Sequence, residues 1–188
     1  MKTQSVREQL LEHTLVLIRR RGFNGFSYRD LAELVGVKTS SIHYYFPAKD
    51  DLVLEAVKEY SARISERLRS VDASLAPAVQ AGGYLNFLRT AACGDQICLA
   101  GMLSTETLCL PESVHAELKA FYRMNENWLM GLIERAQKEY GKVYPVTPRA
   151  LAQVIYGALQ NGLIVARLFG APERLESAAD LLMASVSE

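Results

Sequence analysis

The sequence predicts an all-α protein of about nine helices, arranged as a small N-terminal head followed by a larger C-terminal body. Apolar residues recur at helical spacing along the chain, and glycines, prolines and capping residues stand where helices would begin or end. No alternating run of apolar and polar residues between turn signals requires a strand. With 188 residues, of which 49% are hydrophobic, the chain is long enough to bury a substantial core.

The head is predicted to contain three short helices. The first begins with the serine and glutamate of a capping box and ends in three arginines before a glycine. The second is capped by a serine and stopped by a glycine, and a proline ends the third. In chain order these signals are Ser5, Glu8 and Gly22, then Ser27 and Gly36, then residues 39–46 with Pro47.

Six further helices are predicted in the body. They span about residues 48–70, 84–92, 97–106, 112–140, 147–169 and 172–186. Pro77, Gly82 and Gly83 leave the beginning of the second of these open. We expect the boundary between head and body at residue 47, giving domains 1–47 and 48–188 that the helix 48–70 connects.

The charge distribution separates head from body, although the whole chain has no formal net charge. Lys plus Arg equals Asp plus Glu, at 21 each. Residues 1–49 contain eight basic and four acidic residues, a balance of +4, and residues 50–188 contain 13 and 17, a balance of −4. The head can therefore attract a polyanion without the whole protein doing so.

Several features predict a cytoplasmic protein that is not associated with a membrane. Glu8, Glu12 and His13 interrupt the apolar run that a secretory signal would need. The longest uncharged stretch, residues 150–166, contains three amide side chains and is predicted to be a buried helix. Three unevenly spaced cysteines do not form the disulfide framework of a secreted domain.

Residues 22–57 have the pattern of a helix-turn-helix, in which a buried helix braces a second helix that enters the major groove of DNA. Three apolar side chains would face inward, namely Val37, Ile42 and Phe46. Four polar or aromatic ones would face outward, namely Thr39, Ser40, His43 and Tyr44. Such groups can contact base edges, phosphates and sugars. The alternative is an ordinary surface helix, but a pair of tyrosines in a basic segment with few carboxylates favours DNA binding.

The same stretch closely resembles the TetR family of bacterial repressors. The matching residues are Gly22-Phe23, Ser27, Arg29-Asp30-Leu31-Ala32, Gly36-Val37, Tyr44-Tyr45-Phe46 and Lys49. The resemblance implies that Thr39, Ser40 and Ser41 read bases, that Tyr44, Tyr45 and Lys49 contact the DNA backbone, and that Ser27 and Arg29 reach phosphates. Three residues depart from the family pattern and make the base preference unpredictable: Lys38 replaces a serine cap, Ser40 a glycine and His43 a tyrosine. The predicted DNA-binding set is Ser27, Arg29, Lys38, Thr39, Ser40, Ser41, His43, Tyr44, Tyr45 and Lys49.

Residues 94–111 resemble a subset of that family whose members sense electrophiles or oxidants. Cys98 is expected near the beginning of a short helix, where backbone N–H groups favour a thiolate. The alternative is a small buried side chain of ordinary packing. Cys93, Cys98, Cys109 and His115 lack paired CxxC spacing, so no metal site is predicted.

Six residues of the body are candidates for lining an effector site between helices, although ordinary core packing is the alternative for each. They are Phe87, Cys98, Met102, Phe121, Trp128 and Tyr156, with His115 and Asn161 as possible polar contacts.

These features predict a ligand- or redox-responsive repressor that binds a palindromic operator as a homodimer and is released by an effector. The dimer is expected to form through helices 147–169 and 172–186, with Leu159 and Leu163 as candidate interface residues, where a charge should split the dimer if either lies at the interface. No arrangement of nucleophile, base and orienting group is recognisable, so neither an enzyme nor a cofactor is expected. The alternative is a helical enzyme or small-molecule carrier with an incidental helix-turn-helix-like beginning.

Overall fold

The computed structural model describes residues 4–188; Lys2, one of the basic residues counted in the head, lies outside this range. Over residues 4–188 the protein contains nine α-helices and two short 3-10 helices but no strand, which confirms the predicted all-α class. The α-helices are α1 (Val6–Arg21), α2 (Tyr28–Val35), α3 (Thr39–Tyr45), α4 (Lys49–Arg69), α5 (Pro77–Ala92), α6 (Leu99–Ser104), α7 (Glu112–Tyr140), α8 (Pro148–Phe169) and α9 (Glu176–Val186). The 3-10 helices are Thr107–Cys109 and Pro172–Leu175.

Three helix boundaries in the body differ from the prediction. Helix α5 begins at Pro77, because proline is well tolerated at the first helical position, and it continues through two glycines. Helix α6 is shorter than predicted, and a 3-10 turn follows it. A second 3-10 helix occupies the predicted first turn of α9.

The chain packs as two compact units, each made of two segments. The first contains the described residues up to Arg63 together with Cys98–Phe121, and the second contains Ile64–Ile97 together with Tyr122–Glu188. Helices α4 and α7 each contribute residues to both units without interruption. Packing therefore does not divide the chain at residue 47, and the functional boundary there remains a proposal.

Local capping interactions define the helices at the beginning of the first unit. Both α1 and α2 have complete capping boxes, formed by Ser5 with Glu8 and by Ser27 with Asp30. Gly36 ends α2 in the left-handed conformation, with φ +74°. Helix α3 has Lys38 at its N-cap and no side-chain capping bond, so its stability depends on packing.

The core of the first unit brings α1, α2, α3 and α4 together. Its fully buried side chains include Leu10, Ile18, Leu31, Ile42, Leu52 and Val53. Charged pairs also join α1 to α4: Arg63 binds Glu12, and Arg7 lies 3.1 Å from Glu55. Arg63 also binds Glu59 within α4. Because these pairs are partly exposed, apolar burial contributes most of the stability.

In the second unit, α5, α8 and α9 surround an apolar core. Two side-chain contacts link distant segments there: Arg89 forms an ion pair with Glu176 at 2.6 Å, and the Tyr144 hydroxyl donates to the Ser185 carbonyl at 2.6 Å. Arg135 closes the loop before α5 by donating to the carbonyl oxygens of Ala73 and Leu75.

The prediction that Leu159 or Leu163 lies at a dimer interface is wrong. Both side chains are buried within the chain itself, at 0% and 2% exposure, because α8 turns this face towards the core of the second unit. The apolar side chains that α8 and α9 expose are different ones: Val154, Ile164, Leu168, Phe169 and Leu181.

None of the helices within residues 4–188 combines the length and the hydropathy needed to cross a membrane.

Candidate nucleic-acid interface

Helix α3 has one buried side and one exposed side, as predicted for a recognition helix. Ile42 and Phe46 are buried, and Val37 in the preceding turn is half-buried. The four-residue spacing of Ile42 and Phe46 places both on the side that packs against the rest of the first unit. The opposite side of the seven-residue helix is therefore available to a partner.

The exposed side of α3 carries hydrogen-bonding and aromatic groups without a carboxylate. The predicted outward residues Thr39, Ser40, His43 and Tyr44 are all exposed, and Tyr44 reaches 83%. Tyr45 is also exposed and packs edge-on against Tyr44, whereas Ser41 is half-buried. Hydroxyl groups can donate to phosphates or bond base edges, and the aromatic rings can pack on thymine methyl groups and sugars.

The orientation of His43 is fixed by two contacts. Its Nδ1 lies 3.1 Å from the carbonyl oxygen of Pro47, and its ring packs edge-on against Tyr28 at 4.8 Å. A carbonyl oxygen only accepts, so Nδ1 carries the hydrogen in this bond. In the neutral imidazole Nε2 is then an acceptor, which suits the amino group of a base better than a phosphate oxygen.

Tyr28 joins the beginning of α2 to the end of α3, a contact that sequence analysis missed. Its hydroxyl donates to the carbonyl oxygen of Phe46 at 2.8 Å. Burial, followed by the carboxylates of Asp51 and Asp50, raises the pKa of Tyr28 to about 12. The neutral phenol therefore helps to fix the angle between the two helices.

Lys49 was predicted to be exposed and to contact the DNA backbone. The prediction of exposure is wrong, because the side chain is half-buried. The ammonium group turns inward, donates to the carbonyl oxygens of Phe23 and Phe26, and lies 4.6 and 4.1 Å from the centres of their rings. Carbonyl oxygens and aromatic faces together attract a cation and compensate its partial loss of water. Burial lowers the pKa of Lys49, while Glu106, Asp30 and Asp50 oppose that shift.

The predicted phosphate-contacting residues at the beginning of α2 are both at the surface. The Ser27 hydroxyl is engaged in the capping box with Asp30. The Arg29 side chain is 88% exposed and lies 3.6 Å from Glu33, a pair that water screens strongly. Arg29 is therefore the freer of the two to reach a phosphate.

The six predicted effector-site residues divide equally between the two units. Cys98, Met102 and Phe121 belong to the first unit, and Phe87, Trp128 and Tyr156 belong to the second. Three of the aromatic members have aromatic neighbours: Phe121 packs against Tyr60, Trp128 against Tyr84, and Tyr156 against Tyr122. Phe87 instead lies under the guanidinium of Arg67.

The cysteines differ in accessibility. Cys98 is buried at the N-cap of α6, beside Tyr60 of α4, whereas Cys93 and Cys109 are exposed. Burial, together with the Cys98 thiol, raises the pKa of Tyr60 well above its ordinary value. Within the described range, no group of three or more His, Cys, Asp or Glu side chains is placed to hold a metal ion.

The polar groups inside the second unit are not the ones predicted. Asn161 is exposed on α8, and His115, which lies in the first unit, bonds the carbonyl oxygen of Thr107 and the carboxylate of Glu112. Gln160 is instead 8% exposed, and its side-chain oxygen has no hydrogen-bond partner in the structure. The only sequence signal for it was its place among the three amide side chains of the apolar 150–166 segment, and nothing in that segment distinguished Gln160 from Gln153 and Asn161.

Comparison with known proteins identifies relatives of the helix-turn-helix. Residues 10–56 match the family of bacterial regulatory proteins named tetR. The HTH-type transcriptional regulator PksA of Bacillus subtilis is 29% identical over 65 residues, which cover 35% of this chain and 32% of PksA. The chain thus covers about a third of the length of that curated relative.

Solved structures extend the similarity to nearly the whole chain. A TetR-family transcriptional regulator from Agrobacterium tumefaciens is 28% identical, with a TM-score of 0.90 over 98% of this chain and 99% of its own. A TetR transcriptional regulator from Legionella pneumophila is 27% identical, with a TM-score of 0.89 over 100% of both chains. The similarity to these regulators therefore extends over nearly the full length of the chain.

Replacing Tyr28 with Phe should destabilise the protein by about 1 kcal/mol near neutral pH, because one hydrogen bond to Phe46 is lost. Since the folded-state pKa of about 12 exceeds the ordinary 10.0, the stability that the neutral phenol contributes is present below pH 10 and lost as the pH rises towards 12. Urea unfolding at about pH 8 and about pH 11 should show a smaller alkaline loss in Tyr28→Phe than in the wild type. Tyr44→Phe, at an exposed ring, is the control; an equal alkaline loss in both variants would contradict the assignment.

Proposed function

We propose that this chain is a transcriptional regulator of the TetR family, which represses transcription by binding operator DNA as a homodimer. An effector acting on its C-terminal part then releases the DNA. The observation that carries the proposal is the exposed side of α3, which presents hydroxyl, imidazole and aromatic groups and no carboxylate. That chemistry suits a DNA groove bordered by phosphates.

Contacts to bases are assigned to the exposed groups of α3. Thr39 and Ser40 lie in its first turn, where recognition helices contact base edges, and His43 offers an acceptor to an amino group of adenine or cytosine. Half-buried Ser41 contributes less than the resemblance implied.

Contacts to the DNA backbone are assigned to Tyr44, Tyr45, Arg29 and Lys38, all of which are exposed. Lys49 acts indirectly in this assignment, because its ammonium group already bonds two carbonyl oxygens of the protein. Ser27 likewise acts through the cap of α2.

The homodimer is assigned to the apolar side chains exposed on α8 and α9. Ile164 and Leu168 lie one turn apart on α8, Val154 is exposed nearer the beginning of the same helix, and Leu181 is exposed on α9. Exposed apolar residues at this spacing are typical of a helical interface. Two copies would place two recognition helices on the two halves of a palindromic operator.

The effector acts either as a reversible ligand or by modifying a thiol. In the first case, the buried Gln160 oxygen offers a hydrogen-bond acceptor to a ligand donor within the second unit. In the second case, Cys98 is the thiol whose modification disturbs the fold, because it is buried against Tyr60 of α4.

Tyr44→Ala should weaken operator binding at least about tenfold without lowering the free energy of unfolding, because this ring is exposed and faces no core. The operator is first selected from random duplex DNA, and affinity is then measured by gel shift at several salt concentrations. Leu108→Ala, at an exposed residue outside the helix-turn-helix, is the control and should bind like the wild type. A wild-type protein that selects no DNA would favour an enzyme or carrier and refute the proposed function.

Ile164→Glu and Leu168→Glu should each convert the dimer into a folded monomer, because both positions are exposed within the chain. Leu159→Glu is the matched comparison and should instead unfold the protein, because it places a charge in the core. Sedimentation velocity reports the oligomeric state, and circular dichroism reports the helix content. Wild-type protein that remains monomeric at micromolar concentrations would contradict the homodimer.

Cys98→Ser should retain operator DNA in the presence of p-benzoquinone, whereas the wild type, Cys93→Ser and Cys109→Ser should release it. An adduct on a buried thiol must displace its neighbours, while adducts on the two exposed thiols can extend into solvent. Binding is measured by fluorescence anisotropy, and mass spectrometry counts the adducts. Equal release by all three variants would contradict thiol sensing at Cys98 and favour the reversible ligand.

A further inference from the structure

The loop between α1 and α2, residues 22–26, is bonded by two charged side chains from distant parts of the sequence. The Glu106 carboxylate accepts hydrogen bonds from the backbone N–H of Phe23 at 2.5 Å and from that of Asn24 at 3.1 Å. It also accepts one from the side-chain amide of Asn24 at 3.0 Å. Lys49 donates to the carbonyl oxygens of Phe23 and Phe26 in the same loop. The carboxylate therefore binds N–H groups of the loop, and the ammonium group binds its C=O groups.

The close fit between Glu106 and the loop depends on a glycine. Gly22 has φ +76°, a conformation that other residues rarely adopt. A Cβ atom at this position would also lie 3.0 Å from the Glu106 carboxyl carbon and closer still to one of its oxygens. Any side chain at residue 22 would therefore push the carboxylate away from its donors.

Glu106 belongs to the segment that follows α6, and this segment is part of the first unit. Helix α6 packs against α1 and buries Leu99 and Leu103 completely. At the beginning of the helix, buried Cys98 lies beside Tyr60 of α4, and beyond the end of the helix Glu106 bonds the loop. A displacement of α6 must therefore alter the bonds that hold the beginning of the helix-turn-helix.

We propose that Glu106 is a positioning residue for DNA binding, whose carboxylate holds loop 22–26, and thereby the beginning of α2, in the orientation that the operator requires. The inference rests on the proposed function, since it concerns how the same DNA-binding surface is kept in place.

The test compares Glu106→Gln with Glu112→Gln, which removes another carboxylate of the same unit that bonds His115 and Lys119 instead of the loop. Operator affinity, helix content and hydrogen exchange of individual amides are measured on the full-length protein. Glu106→Gln should weaken operator binding at least about tenfold and accelerate exchange at Phe23 and Asn24, because the charged acceptor is lost. Exchange at the core residue Ile42 and the helix content should stay unchanged, and Glu112→Gln should behave like the wild type.

Two further variants distinguish positioning from general destabilisation. Asn24→Ala removes one bond from an exposed side chain and should weaken operator binding about threefold with the fold intact. Gly22→Ala retains the carboxylate but displaces it, and should reproduce the effect of Glu106→Gln on exchange at Phe23.

The inference would be overturned if Glu106→Gln and Asn24→Ala bound the operator with wild-type affinity, whether or not hydrogen exchange in the loop became faster. The proposed function would stand in that case. Failure of the wild type to bind any selected DNA would overturn the proposed function and this inference together.

Discussion

The backbone polar groups of loop 22–26, just before α2, are bonded by side chains from elsewhere in the first unit. This loop lies between two helices and cannot bond its own N–H and C=O groups in a helical ladder. The Glu106 carboxylate instead accepts from the loop's N–H groups, and the Lys49 ammonium group donates to its carbonyl oxygens. Tyr28 and the buried pair Ile42 and Phe46 then fix α2 against α3. The exposed side of α3 is thus supported by contacts in the interior of the first unit.

The helices of the head were predictable because their signals are local. Ser27 with Asp30, and Gly36 after Val35, act within one or two helical turns, so the sequence alone contains the interaction. The outward residues of α3 followed from the same short-range periodicity. The resemblance to a known family predicted which of these residues contact bases and which contact the DNA backbone. Neither capping nor periodicity could have predicted those roles.

The bonds around the loop were not predictable, because their partners lie far apart in sequence. Glu106 is 83 residues from Phe23, and Lys49 is 26 residues from it. A surface lysine beside an acidic turn of α4 gives no sign that it will fold inward onto two rings. Leu159 and Leu163 were misplaced for a related reason: α8 is apolar on two sides, and periodicity does not reveal which side meets the chain itself.

The two-segment composition of the first unit affects how such regulators can exchange parts during evolution. Residues 98–121 pack with the N-terminal residues, although the 34 residues Ile64–Ile97 of the second unit separate them along the chain. Recombination that joins a foreign N-terminal segment to this body would therefore split a common core. Under the proposed function, new operator specificities are more accessible by substitution on the exposed side of α3, where a changed side chain leaves Ile42 and Phe46 in place.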